Sequence, residues 1–122
     1  MSKFFKAIIA AVSTIAIVVG LSACAPSQSI DMKSVTAVID VRTADEYAAG
    51  HLKGAINIDV ESASFMDEIM KLDVNGTYVV YCHSGRRAGI AKDQMLSMGM
   101  NKVTNAGGIS DAAAATGLPI VQ

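Results

Sequence analysis

The residue types best suited to chemistry lie in one short segment, where an apolar run ends in a cysteine and a loop with two arginines. The apolar run covers residues 78–81, and the loop that follows Cys82 consists of His83, Ser84, Gly85, Arg86 and Arg87. The β-branched and aromatic run predicts a buried strand, and the pattern after the loop predicts a helix. In an open α/β sheet, ligands bind where strands end and helices begin.

A thiol at such a junction is close to three kinds of group that stabilise negative charge. These are the backbone N–H groups of the turn, the positive end of the next helix and, here, two guanidiniums. They favour the thiolate, which is the nucleophilic form of cysteine. The alternative is that Cys82 is a small buried apolar residue, which is the commonest role of a free cysteine. Gly85 and the two arginines favour the catalytic interpretation.

A second pair of polar residues, Asp40 and Arg42, follows the first predicted strand, residues 35–41. The carboxyl ends of parallel strands share one edge of a sheet, so this pair and the loop 82–87 are expected to share a crevice. Asp40 and Arg42 either form a local charged pair that fixes the loop or contact the substrate directly. The sequence favours neither role over the other.

The two histidines carry weaker signals. His51 follows Gly50, which ends a predicted helix, and a structural hydrogen bond is favoured there over a role as a base. His83 lies beside Cys82 and either exposes its ring from the loop or contributes electrostatically. Cysteine and histidine are not clustered at the spacing of metal ligands, and neither a metal nor an organic cofactor is predicted.

The elements that must position these residues alternate between strands and helices. Strands are predicted at 35–41, 55–58, 78–81 and 102–105, with a minimal strand at Leu52 and turns at 75–76 and 107–108. Helices are predicted at 43–49, where Thr43 and Glu46 have the spacing of a capping box, and at 61–72, 88–98 and 110–115. This alternation predicts an α/β domain with a mostly parallel sheet covered by helices on both faces.

The amino terminus has the pattern of an export signal. Lys3 and Lys6 precede an apolar run over residues 7–21, which is shorter than the roughly 20 residues of a spanning helix. The segment 21–24 resembles a bacterial lipobox, in which Cys24 would be acylated. A plain signal peptide or an uncleaved anchor is the alternative. We therefore expect a signal peptide at 1–23, a tether at 24–34 and one domain at 35–122, exported and lipid-anchored on the periplasmic or outer side of a membrane.

Charge and length exclude several classes of function. Without Lys3 and Lys6 the chain keeps eight basic against eleven acidic residues, a net charge of about −3, which argues against nucleic acid as a partner. The local cationic spot at 86–87 suggests a small anionic ligand.

The remaining length suits a single small domain, and we expect a monomer. Cys24 and Cys82 each have another explanation, so no disulfide is predicted between them.

Segments 39–42, 46–58 and 81–87 resemble the signature segments of the rhodanese family, and 105–109 resembles its closing glycine turn. The resemblance runs from about residue 35 to 115 and is greatest to the small single-domain periplasmic members associated with phage-shock operons. It implies a parallel five-stranded sheet and thiosulfate sulfurtransferase activity through a persulfide on Cys82. One departure is the absence of the tryptophan that many relatives carry after the double glycine.

The resemblance also implies roles for the loop. Residues His83 to Arg87 would cradle thiosulfate, with Arg87 as first choice for binding the anion and Arg86 directed outward, and cyanide or a thiol would accept the sulfur. Cysteine-dependent phosphatases and arsenate reductases place five residues between cysteine and arginine, whereas four separate Cys82 from Arg87. The tighter loop favours sulfur transfer over phosphate or arsenate chemistry. A non-catalytic, membrane-tethered binding module is the alternative from another class.

Overall fold

The computed structural model describes residues 29–122, so the leader and Cys24 lie outside the described residues. The strands are β1 (Ala37–Asp40), β2 (His51–Leu52), β3 (Ile56–Asn57), β4 (Thr77–Cys82), β5 (Lys102–Gly108) and β6 (Ile120–Val121). The helices are α1 (Ala44–Ala49), α2 (Phe65–Met70), α3 (Arg86–Ser97) and α4 (Ile109–Thr116), preceded by a 3-10 helix at Met32–Ser34.

Four of the strands form one parallel sheet in the order β3-β1-β4-β5, which confirms the α/β prediction. β4 is an inner strand, so Cys82 lies at the carboxyl end of the sheet between two neighbouring strands, β1 and β5. The expected count of five parallel strands is corrected to four within residues 29–122, because β2 pairs antiparallel with β6 instead. The backbone N–H groups around β2 bond outside the parallel sheet. The Leu52 N–H donates to the Tyr81 side-chain Oη at 2.9 Å, and the Lys53 N–H donates to the Pro119 carbonyl at 2.9 Å.

Alternate side chains of β4 pack on opposite faces of the sheet, as strand geometry requires. Tyr78, Val80 and Cys82 belong to the core on the side of α2 and α3. Val79 and Tyr81 belong to the core on the side of α4. Helices therefore cover both faces, and the thiol lies on the same side as α3, the helix that follows its loop.

The start of α2 is later than the sequence pattern predicts. The helix begins at Phe65 and not at residue 61, because side chains take up the backbone donors of the preceding turn. Asp59 Oδ1 accepts the N–H of Glu61 at 2.9 Å, and Ser62 Oγ accepts the N–H of Ser64 at 3.2 Å. Such local bonds compete with helix formation.

Two elements beside the loop are longer than predicted. α3 begins at Arg86, because the Gly85 carbonyl already accepts the Gly89 N–H at 3.0 Å. β5 continues to Gly108, which pairs with Cys82 beyond an irregularity in the β4–β5 register. Residues 107–108 are therefore strand, and the turn predicted there is corrected.

The capping box of α1 is confirmed. Thr43 Oγ1 accepts the Glu46 N–H at 3.3 Å, and Glu46 Oε1 accepts the Thr43 N–H at 3.3 Å. The helix ends at Gly50, as predicted. These bonds fix the Glu46 side chain at the start of α1, which matters for the site.

Residues 29–34, the described part of the expected tether, contact the domain. The Ile30 N–H donates to the Ala115 carbonyl at 2.8 Å, and the Asp31 side chain accepts the Lys33 N–H at 3.1 Å at the start of the 3-10 helix. Among the helices of residues 29–122, none has both the length and the apolar character needed to cross a membrane.

Candidate active site

Cys82 is the last residue of β4 and is fully buried. Its Sγ accepts a hydrogen bond from the Gly85 N–H at 2.8 Å, so the loop folds back over the sulfur. Gly85 has a φ of 97°, a left-handed conformation that favours glycine. His83, Ser84 and Arg86 are exposed around this turn. The backbone thus presents a donor to the atom that carries charge when the thiol ionises.

The end of β5 forms a wall against which the loop packs. A Cβ atom on Gly108 would overlap the His83 carbonyl oxygen, and one on Gly85 would lie 3.2 Å from Gly107 Cα. The Asn105 side chain adds a direct bond, from Nδ2 to the Gly85 carbonyl at 3.1 Å. Gly108 is needed because the His83 backbone approaches too closely for a side chain, whereas Gly107 is favoured by its left-handed φ of 84°.

Arg87, the predicted anion ligand, forms a two-pronged ion pair with Glu46 of α1. Arg87 Nη1 lies 2.7 Å from Glu46 Oε1, and Arg87 Nη2 lies 2.9 Å from Glu46 Oε2. The pair spans 41 residues of sequence and connects the first turns of α1 and α3. Two of the five guanidinium N–H donors are used in this pair. Binding of an anion by Arg87 stays a prediction.

The ion pair changes the titration of both partners. Hydrogen bonds from Arg87 are the largest cause that lowers the pKa of Glu46 to about 2, and bonds from Thr43 act in the same direction. The hydrogen bonds to Glu46 raise the pKa of Arg87 above its usual value, and the Cys82 side chain adds an electrostatic contribution. The ionised guanidinium of Arg87 therefore lies within electrostatic range of the thiol while it pairs with the Glu46 carboxylate.

Asp40 and Arg42 form a buried pair at the end of β1. Arg42 Nη2 lies 2.6 Å from Asp40 Oδ2, and Arg42 Nε lies 2.9 Å from Oδ1, which also accepts the Arg42 N–H at 3.0 Å. Arg42 Nη2 then donates to the Gly50 carbonyl at 2.5 Å. The bond to Asp40 is the largest cause that raises the pKa of Arg42.

This geometry matches the loop-fixing alternative for the pair, because its polar atoms face each other and the backbone. Asn57 Nδ2 completes the arrangement by donating to the carbonyls of Asp40 at 3.0 Å and Arg42 at 2.9 Å. A direct contact of Asp40 or Arg42 with substrate stays a prediction.

His51 has the contacts of a structural residue, which the sequence favoured. Its ring stacks on Tyr47 with centroids 3.7 Å apart, and Nδ1 donates to the Tyr47 carbonyl at 2.9 Å. Within residues 29–122, no three histidine, cysteine or acidic side chains are grouped closely enough to hold a metal ion.

Two residues of the site were not predicted from the sequence. Glu46 was assigned only a capping role, and Asn105 only a place in the closing glycine turn. Their contacts with the loop segment 85–87 cross from other elements and leave no local pattern. The only available signal was that both lie within the segments that carry the family resemblance.

Comparisons with known proteins agree with this architecture. The family profile described as a rhodanese-like domain matches residues 26–115. The thiosulfate sulfurtransferase PspE of Escherichia coli strain K12 is 38% identical over 94 residues, which cover 77% of this chain and 90% of the relative.

Two solved structures are also similar. One, described as a rhodanese with anions from E. coli, is 37% identical with a TM-score of 0.59, covering 70% of this chain and 96% of the other. The rhodanese-3-like domain of the Alr3790 protein from Anabaena is 25% identical with a TM-score of 0.62, covering 70% of this chain and 98% of the other.

Proposed function

Because the chain belongs to the rhodanese-like domain family, we propose that it is a thiosulfate sulfurtransferase with Cys82 as its nucleophile. The observation that carries the proposal is the Gly85 N–H held 2.8 Å from Cys82 Sγ at the end of an inner strand. The E. coli relative named a thiosulfate sulfurtransferase supports the choice of donor, since the match extends over 90% of its length.

In the first half-reaction the Cys82 thiolate attacks the outer sulfur of thiosulfate. A sulfur–sulfur bond forms at Sγ while the sulfur–sulfur bond of thiosulfate breaks, and sulfite leaves with the electron pair. The product is a persulfide anion on Cys82. Negative charge thus moves onto the terminal sulfur, beside the backbone donors of the loop.

In the second half-reaction a nucleophile removes the terminal sulfur. Cyanide attacks it, the persulfide bond breaks toward Sγ, and thiocyanate and the Cys82 thiolate result. A thiol acceptor would form a new persulfide in the same way, after losing its proton. No metal or organic cofactor enters this balance.

The loop residues supply the anion cradle of the proposal. The Gly85 N–H already faces the thiol, and in the proposal the other backbone N–H groups from His83 to Arg87 would complete the cradle for a small anion. Three guanidinium N–H donors of Arg87 remain beyond the two that bind Glu46, and the exposed Arg86 attracts anions at longer range. The related E. coli structure is described as holding anions, which supports such a cradle.

The decisive test is thiosulfate turnover, measured as sulfite release and as thiocyanate formation with cyanide. Cys82→Ser keeps the size of the side chain and removes the sulfur nucleophile, so turnover should fall to background. Intact-mass analysis after thiosulfate treatment should show one added sulfur on the native protein alone. Cys24→Ser is the matched control and should retain turnover. Full activity in Cys82→Ser would contradict the mechanism.

We also propose that the protein is exported and lipid-anchored through Cys24. The support is the pattern of residues 1–24, with Lys3 and Lys6, an apolar run and a small-residue segment before the cysteine. Full-length protein should partition with membranes, and Cys24→Ala should release it or block its maturation. Recovery of mature protein cut at another site and carrying no lipid would contradict the proposal.

A further inference from the structure

Asn105 joins β5 to the loop over the thiol through both ends of its side-chain amide. Its Nδ2 donates to the Gly85 carbonyl at 3.1 Å, and its Oδ1 accepts the Gly107 N–H at 2.8 Å. The two partners fix the orientation of the amide, because a carbonyl only accepts and a backbone N–H only donates. The residue itself is exposed, so burial does not explain these contacts.

Two peptide planes meet at Gly85, and the bond from Asn105 fixes the orientation of the Gly85–Arg86 plane, which carries the Gly85 carbonyl. The Gly85 carbonyl accepts from Asn105 and from the Gly89 N–H at 3.0 Å. A trans peptide is planar, so the N–H of Arg86 in the same unit must point the opposite way. The other plane carries the Gly85 N–H, which donates to Cys82 Sγ at 2.8 Å.

Gly85 is the part of the loop that most needs such a restraint. Glycine at a φ of 97° has access to many other conformations, and a change of this kind would alter the angle between the peptide plane that carries the Gly85 N–H and the plane that carries the Gly85 carbonyl. Gly85 has no side chain that could hold the loop in place, and a Cβ there would lie only 3.2 Å from Gly107 Cα. Asn105 supplies the missing side-chain contact from the neighbouring strand.

We propose that Asn105 is a positioning residue that holds the Gly85–Arg86 peptide plane, and so the closed loop, over Cys82. The expected loss of turnover rests on the proposed function. Whether Asn105 holds the loop closed can be tested without that activity. Cys82 is fully buried, and a neutral thiol reagent lacks the charge that the loop donors would bind, so such a reagent should reach Sγ faster when the loop opens locally. Loss of the clamp should therefore raise thiol accessibility while it lowers turnover.

Asn105→Asp separates positioning from structure. Aspartate keeps an acceptor for the Gly107 N–H, which preserves the turn within β5, but it loses the donor to the Gly85 carbonyl. Asn105→Ala loses both bonds. Asn101→Asp is the matched control, since Asn101 is exposed and lies just before β5.

The experiment measures three quantities in each variant of the full chain. These are the alkylation rate of Cys82 by iodoacetamide, followed on the peptide that contains Cys82, the melting temperature, and kcat and KM for thiosulfate. We expect Asn105→Asp to keep its melting temperature, to be alkylated severalfold faster, and to lose kcat by about tenfold, or about 1.4 kcal/mol, with a smaller change in KM. Asn101→Asp should match the native protein in all three.

An alkylation rate in Asn105→Asp equal to that of the native protein would overturn the proposal, as would full kcat in that variant. Should Asn105→Ala fail to fold, Asn105→Asp alone decides. If the native protein turns over no thiosulfate, the proposed function fails, while the alkylation rates still test the clamp.

Discussion

Two arginine–carboxylate pairs lie at the functional end of the domain, and they differ in burial and in reach. In the Asp40–Arg42 pair the arginine side chain is 7% exposed and the carboxylate is fully buried, and the partners are two residues apart. In the Glu46–Arg87 pair the arginine side chain is 18% and the glutamate side chain 34% exposed, and the pair connects α1 to α3. The first pair stabilises a strand end, whereas the second borders the thiol loop.

The physical consequences differ accordingly. Removing one partner of a buried pair leaves an uncompensated charge, which is costly. A partly exposed pair is screened by water and salt and contributes little to folding. The comparison therefore predicts a large loss of stability when the Asp40–Arg42 pair is broken and a small one when the Glu46–Arg87 pair is broken.

The largest expected effect is on stability, from Asp40→Ala. The substitution leaves the buried Arg42 guanidinium without its carboxylate, which should lower the free energy of unfolding by about 3–5 kcal/mol. Urea denaturation measures this difference. Asp93→Ala, at an exposed position of α3, is the control and should change stability by no more than about 0.5 kcal/mol. Equal effects of the two substitutions would contradict the assignment of stability to the buried pair.

The next effect is on activity and separates Arg87 from Arg86. A guanidinium that contacts a dianion in a partly desolvated loop makes hydrogen bonds worth roughly 1.5–3 kcal/mol. Arg87→Ala should therefore lower kcat/KM for thiosulfate by about ten- to a hundredfold. Arg86→Ala should cost less, and its effect should shrink with added salt, which screens charges beyond roughly 8 Å at 0.15 M.

Kinetics of both variants at low and high salt test this prediction. Equal losses that salt fully screens would mean that neither arginine contacts the substrate, and the loop amides alone would form the cradle. The unequal result would place Arg87 against the anion while it still binds Glu46.

The parts of this comparison differ in how far the sequence predicts them. The strand that ends in Cys82 and the capping box of α1 follow from local patterns, because alternation, β-branching and cap spacing act over a few residues. The strand pairing of Leu52 with Ile120 was missed, because two-residue strands carry almost no periodicity. Four parallel strands therefore replaced the expected five within residues 29–122.

The contacts of Glu46 and Asn105 were missed for a different reason. Each side chain reaches the loop from another element, 41 residues away for Glu46–Arg87 and 20 for Asn105–Gly85. Such long-range contacts depend on how helices and strands pack together, so neither composition nor the spacing of nearby residues predicts them. The sequence predicted which residues could do chemistry, but the structure was needed to find what holds them in place.

The smallest expected effect is on the pH dependence of stability, through Glu46. Hydrogen bonds from Arg87, supported by bonds from Thr43, lower the pKa of this carboxyl from 4.5 to about 2. A lowered folded-state pKa adds stability that is fully present above the unfolded pKa of 4.5 and is lost as the pH falls through about 2. Glu46→Gln lacks this contribution at every pH. The difference in the free energy of unfolding between the native protein and this variant should therefore shrink as the pH falls from 5 to 2.

Urea unfolding at pH steps across this range measures the narrowing. Arg87→Gln keeps the carboxyl but removes the largest cause of its lowered pKa, so the stability deficit of this variant should also narrow toward pH 2. Because the glutamate is about one-third exposed, solvent screening keeps the effect well below that of Asp40→Ala. A deficit that stays constant from pH 5 to pH 2 would mean that the ion pair adds nothing to folding, and its role would then be confined to holding Arg87 beside the thiol.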